Sequence, residues 1–296
     1  MSRFRAEAAL VLAALLYGIT FPLVKDALDD ITPFAYLVGR FTVATVLLAP
    51  VVVIALRPPT SREVRRLVLG TGAVAGVLLF GGYAAQTVGL QYTSPSTSAF
   101  VTGLYVVITP VIESVRLRRL PPRSVVTGVV LATLGLALLT GASLDVGRGV
   151  WLTLLCAFLF ACHIVYVGVN AHRAPPLPFT GVQLAMVALL CLPPTAVNGV
   201  GTVTVLAVFA VVFTGVACSA VALPLQVWGQ RRIPATRAAL ILLAEPVFAG
   251  LASWVAGERL DAAQLVGAVV ILVGIVISEL GTRTRDDERS AEPERG

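Results

Sequence analysis

Residues 67–90 read LVLGTGAVAGVLLFGGYAAQTVGL, 24 positions without a charged side chain, directly after Arg62, Arg65 and Arg66. A helix needs about 20 apolar residues to cross the hydrocarbon core of a bilayer, where only internally hydrogen-bonded backbone is tolerated. The stretch therefore reads as a membrane-spanning helix with a basic end at the membrane surface. The same alternation extends in both directions. Ten apolar segments emerge, at roughly 8–24, 33–56, 67–90, 95–115, 125–143, 150–170, 178–197, 203–228, 234–255 and 262–280. Pro33, Pro58-Pro59, Pro95, Pro121-Pro122, Pro175-Pro176 and Pro234 punctuate the short connections. Residues 282–296 read as a charged, disordered tail.

Composition agrees. Of 296 residues 57% are hydrophobic and 13% charged, against roughly 25% charged in an average soluble domain. Disorder is excluded, a soluble enzyme is disfavoured, and ten spans leave no room for a separate soluble domain. The net charge of +6 could point to nucleic acid. Its placement points instead to a membrane surface, since basic residues gather on the cytoplasmic side of spanning helices. With the N-terminus inside, eighteen basic residues fall in inner segments, among them Arg3, Arg5, Arg57, Arg62, Arg116, Arg123, Arg173, Arg231 and Arg237. Only Lys25, Arg148 and Arg259 fall outside, and Arg40 alone lies within a span. The reading is a multi-pass bacterial inner-membrane protein with both termini cytoplasmic. Arg3 and Arg5 before an apolar run also resemble a signal peptide, but no small-x-small cleavage site follows before Lys25, so the segment is expected to be retained. Cys156, Cys162, Cys191 and Cys218 all sit in apolar stretches and read as small buried residues, neither disulfides nor metal ligands.

The chain also matches itself. At an offset of 143 positions Leu12, Ala14 and Leu16 meet Leu155, Ala157 and Leu159, and Pro33 meets Pro176. At 139 positions Pro95 meets Pro234, Thr97 meets Thr236, Gly128 meets Gly267 and Gly135 meets Gly274. Two copies of five spans must lie in opposite orientations, because five is odd. The expected fold is thus an all-α membrane protein of ten transmembrane helices in two inverted five-helix repeats, 1–143 and 144–281, followed by the tail. Inverted repeats recur in secondary transporters, where two halves rock about a central site.

Several runs carry a family resemblance: Tyr17-Gly18-Ile19-Thr20-Phe21, Gly39-Arg40-Phe41, Gly89-Leu90-Gln91-Tyr92-Thr93-Ser94-Pro95, Pro234-Ala235-Thr236-Arg237-Ala238, Glu245-Pro246-Val247-Phe248 and Gly257-Glu258-Arg259-Leu260, with Gly267 and Gly274. In order and spacing over residues 8–280 the chain resembles EamA-type members of the drug/metabolite transporter superfamily. The resemblance implies a cavity lined by spans 1–4 and 6–9, with spans 5 and 10 at the periphery. It further implies export or exchange of amino acids, metabolites or drugs by a protein that is not an enzyme. No cofactor is implied. The partners expected are the lipid bilayer and a small-molecule substrate, with a homodimer through spans 5 and 10 as a further option.

Arg40 is the most informative residue, because a guanidinium inside a span costs at least ~2.5 kcal/mol and faces protein or water. It either attracts a carboxylate-bearing substrate or locks helices together through backbone carbonyls or Glu245; its repeat mate is Gln183. Glu245, directly before Pro246 in span 9, is either a proton-coupling group or a structural partner for Arg40. His163, the mate of Thr20, reads as a packing residue before a switch, and two histidines support no zinc site. With Arg40, Glu245 and His163, the residues Tyr17, Thr20, Tyr83, Gln86, Tyr105, Gln183 and Gln226 make ten substrate-binding candidates in the spans that the family assigns to the cavity, while Trp228, close to the Arg231 end, reads rather as a packing or interface-belt residue. Gly18, Pro22, Pro95, Pro110, Pro234 and Pro246 are expected to let helices bend. Asp26, Asp29 and Asp30 could bind a metal-diphosphate in a membrane prenyl or lipid transferase, yet no second carboxylate cluster lies in the spans to complete such a site. A non-transporting scaffold or sensor would need an effector region, and the tail supplies only about fifteen residues.

Overall fold

A proline in the first turn of a helix forfeits no hydrogen bond, since that N–H lacks an intrahelical partner. Pro33 and Pro176 open two long helices in this way. The computed structural model describes residues 3–93, 95–141, 147–255 and 261–291. Its helices are α1 (Arg3–Gly18), α2 (Phe21–Ala27), α3 (Pro33–Leu56), α4 (Arg62–Gly89), α5 (Pro95–Gly103), α6 (Tyr105–Leu117) and α7 (Arg123–Thr140). There follow α8 (Arg148–Asn170), α9 (Pro176–Asn198), α10 (Val205–Thr214), a π-helical segment (Gly215–Ala222), α11 (Leu223–Gln230), α12 (Ala235–Leu242), α13 (Glu245–Val255) and α14 (Ala262–Ala291). Ser61 caps α4 by accepting from the Val64 N–H at 3.3 Å, and Thr204 caps α10 through the Ala207 N–H at 3.2 Å. Among the described residues eight helical stretches are long and apolar enough to cross a membrane, and Ala262–Ser278 is a shorter apolar helix. Ile54, Val115, Trp151, Val205 and Trp254 stand 61–89% exposed, an apolar outer surface suited to lipid. The protein is a multi-pass membrane protein.

Every apolar segment of the sequence coincides with a helix or with an interrupted one. The first is split into α1 and α2, the fourth into α5 and α6, and the ninth into α12 and α13. The eighth runs from α10 through the π-helical segment into α11. Two of these breaks share a cause. Pro22 and Pro246 lack the N–H that would bond four residues back, and α1 and α12 end at those positions, Gly18 and Leu242. Pro224 acts similarly on the eighth segment, where the Leu223 N–H bonds five residues back to Cys218. Pro110 lies inside α6, and the break of the fourth segment falls earlier, at Leu104. The break directly follows Gly103, a residue of poor helix propensity. A Cβ on Gly103 would meet the Leu243 side chain at 3.1 Å, so the interruptions of the fourth and ninth segments pack together.

The helix limits recur along the chain. Pro33 and Pro176, 143 positions apart, both begin helices; Arg123 and Ala262, 139 apart, do so as well. Gly103 and Leu242, also 139 apart, both end one. In space α3 packs on α9 and α7 on α14. The second seam is made of glycine. A Cβ on Gly128 would lie 2.6 Å from the Gly274 carbonyl oxygen, and one on Gly135 would lie 2.7 Å from that of Gly267. Since these glycine faces are spent within the chain, a dimer through the fifth and tenth segments would have to use their outer faces.

Call the surface where α1 begins the N-terminal face and the opposite surface the far face. On the far face a strap joins the loop after α2 to the loop before α10. Ile31 and Gly201 form an isolated antiparallel bridge, the Thr202 N–H donates to the Asp30 carbonyl at 2.9 Å, and Thr204 Oγ1 donates to Asp30 Oδ2 at 2.8 Å. Gly201 sits at φ +82°, where a side chain is strained. The C-terminal tail departs from expectation: α14 continues through Ala291, so the charged stretch is helical to that residue. Residues 292–296, the boundary at 143–144 and the Gly257-Glu258-Arg259-Leu260 motif lie wholly or partly outside the described residues.

Candidate functional site

Where the interrupted helices meet they leave a cavity of about 110 Å³. Nine of the ten substrate-binding candidates line it: Tyr17, Thr20, Arg40, Tyr83, Gln86, Tyr105, His163, Gln226 and Glu245. Val24, Tyr36, Leu79, Thr87, Leu90, Phe160, Ile164, Cys218, Leu223 and Leu242 complete the wall. The tenth candidate, Gln183, stands just behind. Its Oε1 lies 2.8 Å from His163 Nε2, while its Nε2 donates to the Phe179 carbonyl at 3.4 Å. With the amide thus oriented, the network assigns the donated hydrogen to His163 Nε2. Gln183 stands 143 positions after Arg40, yet only Arg40 turns to the cavity. Trp228 also stays out and packs against the core.

Arg40 is 6% exposed. Its Nε donates to Ser219 Oγ at 2.9 Å, and Nη2 donates to Tyr83 OH at 3.3 Å. The guanidinium carbon lies 4.8 Å from the Tyr83 ring centroid and 5.3 Å from that of Phe41. Tyr83 is itself set edge-on to Phe160 at 5.2 Å. The cation is therefore held by hydroxyls and aromatic faces, and of the alternatives the sequence left open the lock onto Glu245 is not made: no ion pair joins the two within 4.0 Å among the described residues. Ser219 reaches Arg40 from the π-helical segment, whose wider turn changes which side chains of the eighth segment point inward.

Glu245 is the first residue of α13, beyond the break, and its side chain makes no hydrogen bond or ion pair among the described residues. Gly18 lets α1 approach it, because a Cβ there would collide with the Glu245 carbonyl and lie 3.0 Å from the Ala249 nitrogen. Pro246 follows in the first turn of the same half-helix. Pro22 lies in the first turn of α2, its side chain outside the described residues. The remaining polar groups tie the wall together. Tyr17 OH donates to Gln226 Oε1 at 3.1 Å, Gln86 Nε2 donates to Thr102 Oγ1 at 3.3 Å, and Tyr36 OH lies 2.8 Å from Thr214 Oγ1. Thr20 Oγ1 donates to the Tyr17 carbonyl at 2.8 Å and lies 3.2 Å from Cys218 Sγ. Sequence reasoning misses Tyr36, Cys218 and Ser219, because single hydroxyls and thiols inside apolar runs carry no signal until the helix register is known.

The arrangement offers one fixed cation, one unpaired carboxyl and several hydroxyl and amide groups on an otherwise apolar wall, a chemistry suited to binding a small polar molecule. Among the described residues no group of three histidine, cysteine or acidic side chains is placed to hold a metal.

The family model of the EamA-like transporter family matches the chain twice, over residues 4–141 and 147–280. An "Uncharacterized transporter" of Archaeoglobus fulgidus is 32% identical over 285 residues, covering 95% of this chain and 87% of that protein. "Uncharacterized transporter YyaM" of Bacillus subtilis is 24% identical over 282 residues, covering 88% of each. A solved protein crystal structure superposes with a TM-score of 0.78 at 20% identity, over 95% of this chain and 100% of the other, which shows the shared fold.

Proposed function

The chain belongs to the EamA-like transporter family, a family of membrane transporters, and from that premise we propose that it is a secondary transporter working by alternating access. Ten spans form two inverted five-helix repeats, and small solutes leave the cell through the cavity between them. Three observations support the architecture: the double family match, the recurrence of helix limits at offsets of 143 and 139, and the glycine seam. In that seam Gly128 faces Gly274 while Gly135 faces Gly267, the exchange of partners that a two-fold axis between copies produces. The charge asymmetry of the loops supports cytoplasmic termini in a bacterial inner membrane.

The observation that carries the mechanism is that Arg40 and Glu245 line one cavity without pairing. Arg40 turns its guanidinium to the cavity to receive a carboxylate-bearing solute, and Glu245 takes up and releases a proton as the carrier cycles. Comparing metabolites in the medium of cells with and without the protein identifies the solute. Proteoliposomes then test its movement under an imposed pH gradient. Glu245→Gln is expected to abolish the gradient's effect while the protein still folds; gradient-driven transport unchanged in that variant excludes the coupling role. Failure of any solute to move with the purified parent protein refutes the transport reading.

A further inference from the structure

Breaks in the first, fourth and ninth segments divide each into two half-helices. The halves on the N-terminal face are α1, α6 and α12, and acidic side chains bind them to one another. Arg237 of α12, 3% exposed, places Nη2 3.4 Å from Glu7 Oε1 of α1. The same oxygen lies 3.3 Å from Arg3 Nε one turn earlier. Glu113, near the end of α6, accepts the Thr236 N–H at 2.9 Å and the Thr236 hydroxyl, closing the start of α12. None of these residues lines the cavity.

A polar row leads from the cavity toward this cluster. Gln226 on the wall donates through Nε2 to Gln230 Oε1 at 3.4 Å, and Gln230, the last residue of α11, donates to the Ile164 carbonyl at 2.8 Å. Gly229 beside it packs against Leu10 and the carbonyl of Ala6, the residue before Glu7. On the far face the tie is different in kind, a strap between loops that leaves the half-helices out.

We propose that the Glu7–Arg237 pair, together with the hold of Glu113 on Thr236, is the gate on the N-terminal face of the cavity. It is closed in this conformation, and solute passes to that face along the Gln226–Gln230 row when the pair parts. This rests on the transport reading above. A buried ion pair adds little net stability over an apolar contact of the same shape, because desolvation offsets its attraction. Permanent closure needs no charge. A contact that must separate when water enters is better built from groups that water solvates, and the breaks at residues 19–20, 104 and 243–244 let each inner half-helix tilt apart from its outer half.

Cys218 on the cavity wall is a native reporter. With Cys156, Cys162 and Cys191 changed to alanine, sealed membrane vesicles of both orientations are treated with the impermeant reagent 2-sulfonatoethyl methanethiosulfonate. Labelling from the N-terminal face is expected to be slow in this parent and to rise about tenfold in Glu7→Gln and in Arg237→Gln. The exchange Glu7→Arg with Arg237→Glu is expected to return the rate to within about threefold of the parent, which also shows that the fold tolerates change at both positions. Unchanged labelling in both single variants overturns the gate. So does a rise that the exchange leaves in place, since that reports loosened packing rather than a lost pair. Labelling needs no solute, so a protein that gates Cys218 but moves nothing in liposomes refutes the transport reading alone.

Discussion

Gly135→Ala adds one methyl group to the seam between α7 and α14. An ideal Cβ at that position lies 2.7 Å from the Gly267 carbonyl oxygen and 2.7 Å from the Ile271 nitrogen. Both are backbone atoms of a packed helix, so no side chain can swing aside, and ordinary contact requires the helices to part by about 0.7 Å. Overpacking of this kind costs about 1–3 kcal/mol. At about 2–4 °C per kcal/mol for a chain of this size, the expected fall in Tm is about 2–12 °C. Thermal unfolding of the purified protein in detergent micelles, followed by gel filtration or tryptophan emission, reads it. Gly70→Ala is the control: nothing lies within 4 Å of its Cβ, and an exposed helical glycine gains about 0.5–1 kcal/mol as alanine. The two substitutions should therefore shift Tm in opposite directions. Gly267→Ala should resemble Gly135→Ala, and because each glycine faces the other, the double variant should lose less than the two single losses combined. A Gly135→Ala protein that melts with or above its parent refutes the close-packed seam and, with it, the structural support for a two-fold relation between the halves.

Glu113→Ala should cost about 1–2 kcal/mol, the value of a lost helix cap, whereas Glu113→Gln keeps an acceptor for Thr236 and should cost less; melting in micelles separates them. Gly201→Ala forces a side chain into φ +82° and within 2.6 Å of the Asp30 carbonyl, and should lower stability by about 1–3 kcal/mol. Ser219→Ala leaves Arg40 Nε without its acceptor and should cost about 1–3 kcal/mol in the same assay. Arg40→Lys should fail to restore the liposome transport that Arg40→Leu removes, since an ammonium cannot reproduce a planar fork held by Ser219 and Tyr83; full activity of the lysine variant would discard the fork.

The segments are legible in the sequence because hydrophobic length is a local property. So are Pro33 and Pro176 as helix starts, the glycine register of α7 and α14, and the gathering of Arg40 and Glu245 at one place. The internal breaks are harder. Pro246 announces an interruption one turn before it, where α12 does end, whereas only Gly103 stands beside the break at Leu104. Gln183 reads as a cavity residue because it is a polar group in a span that the resemblance assigns to the cavity, yet a hydrogen bond to His163 turns it away. Ser219 shows the general difficulty. Its role depends on a π-helical segment that shifts the facing of every later side chain, and sequence periodicity assumes one constant turn. Charge counting assigns Arg237 to the inner surface, which locates a residue along the membrane normal but says nothing of its burial against Glu7.

The exchanged glycine contacts also bear on energetics. On the inverted-repeat architecture proposed above, the two copies can swap shapes, and a chain with identical copies would have two conformations of equal free energy, each half-populated. Any preference must come from positions at which the copies differ. Those positions include Arg40 against Gln183, a broken first span against an unbroken α8, Glu113 against Ala252, and the π-helical turn against the regular helix of Gly76–Tyr83. If the chain alternates as proposed, its resting population follows from these mismatches, and substitutions that make the copies more alike should bring the two populations closer together without altering the solute-binding groups themselves.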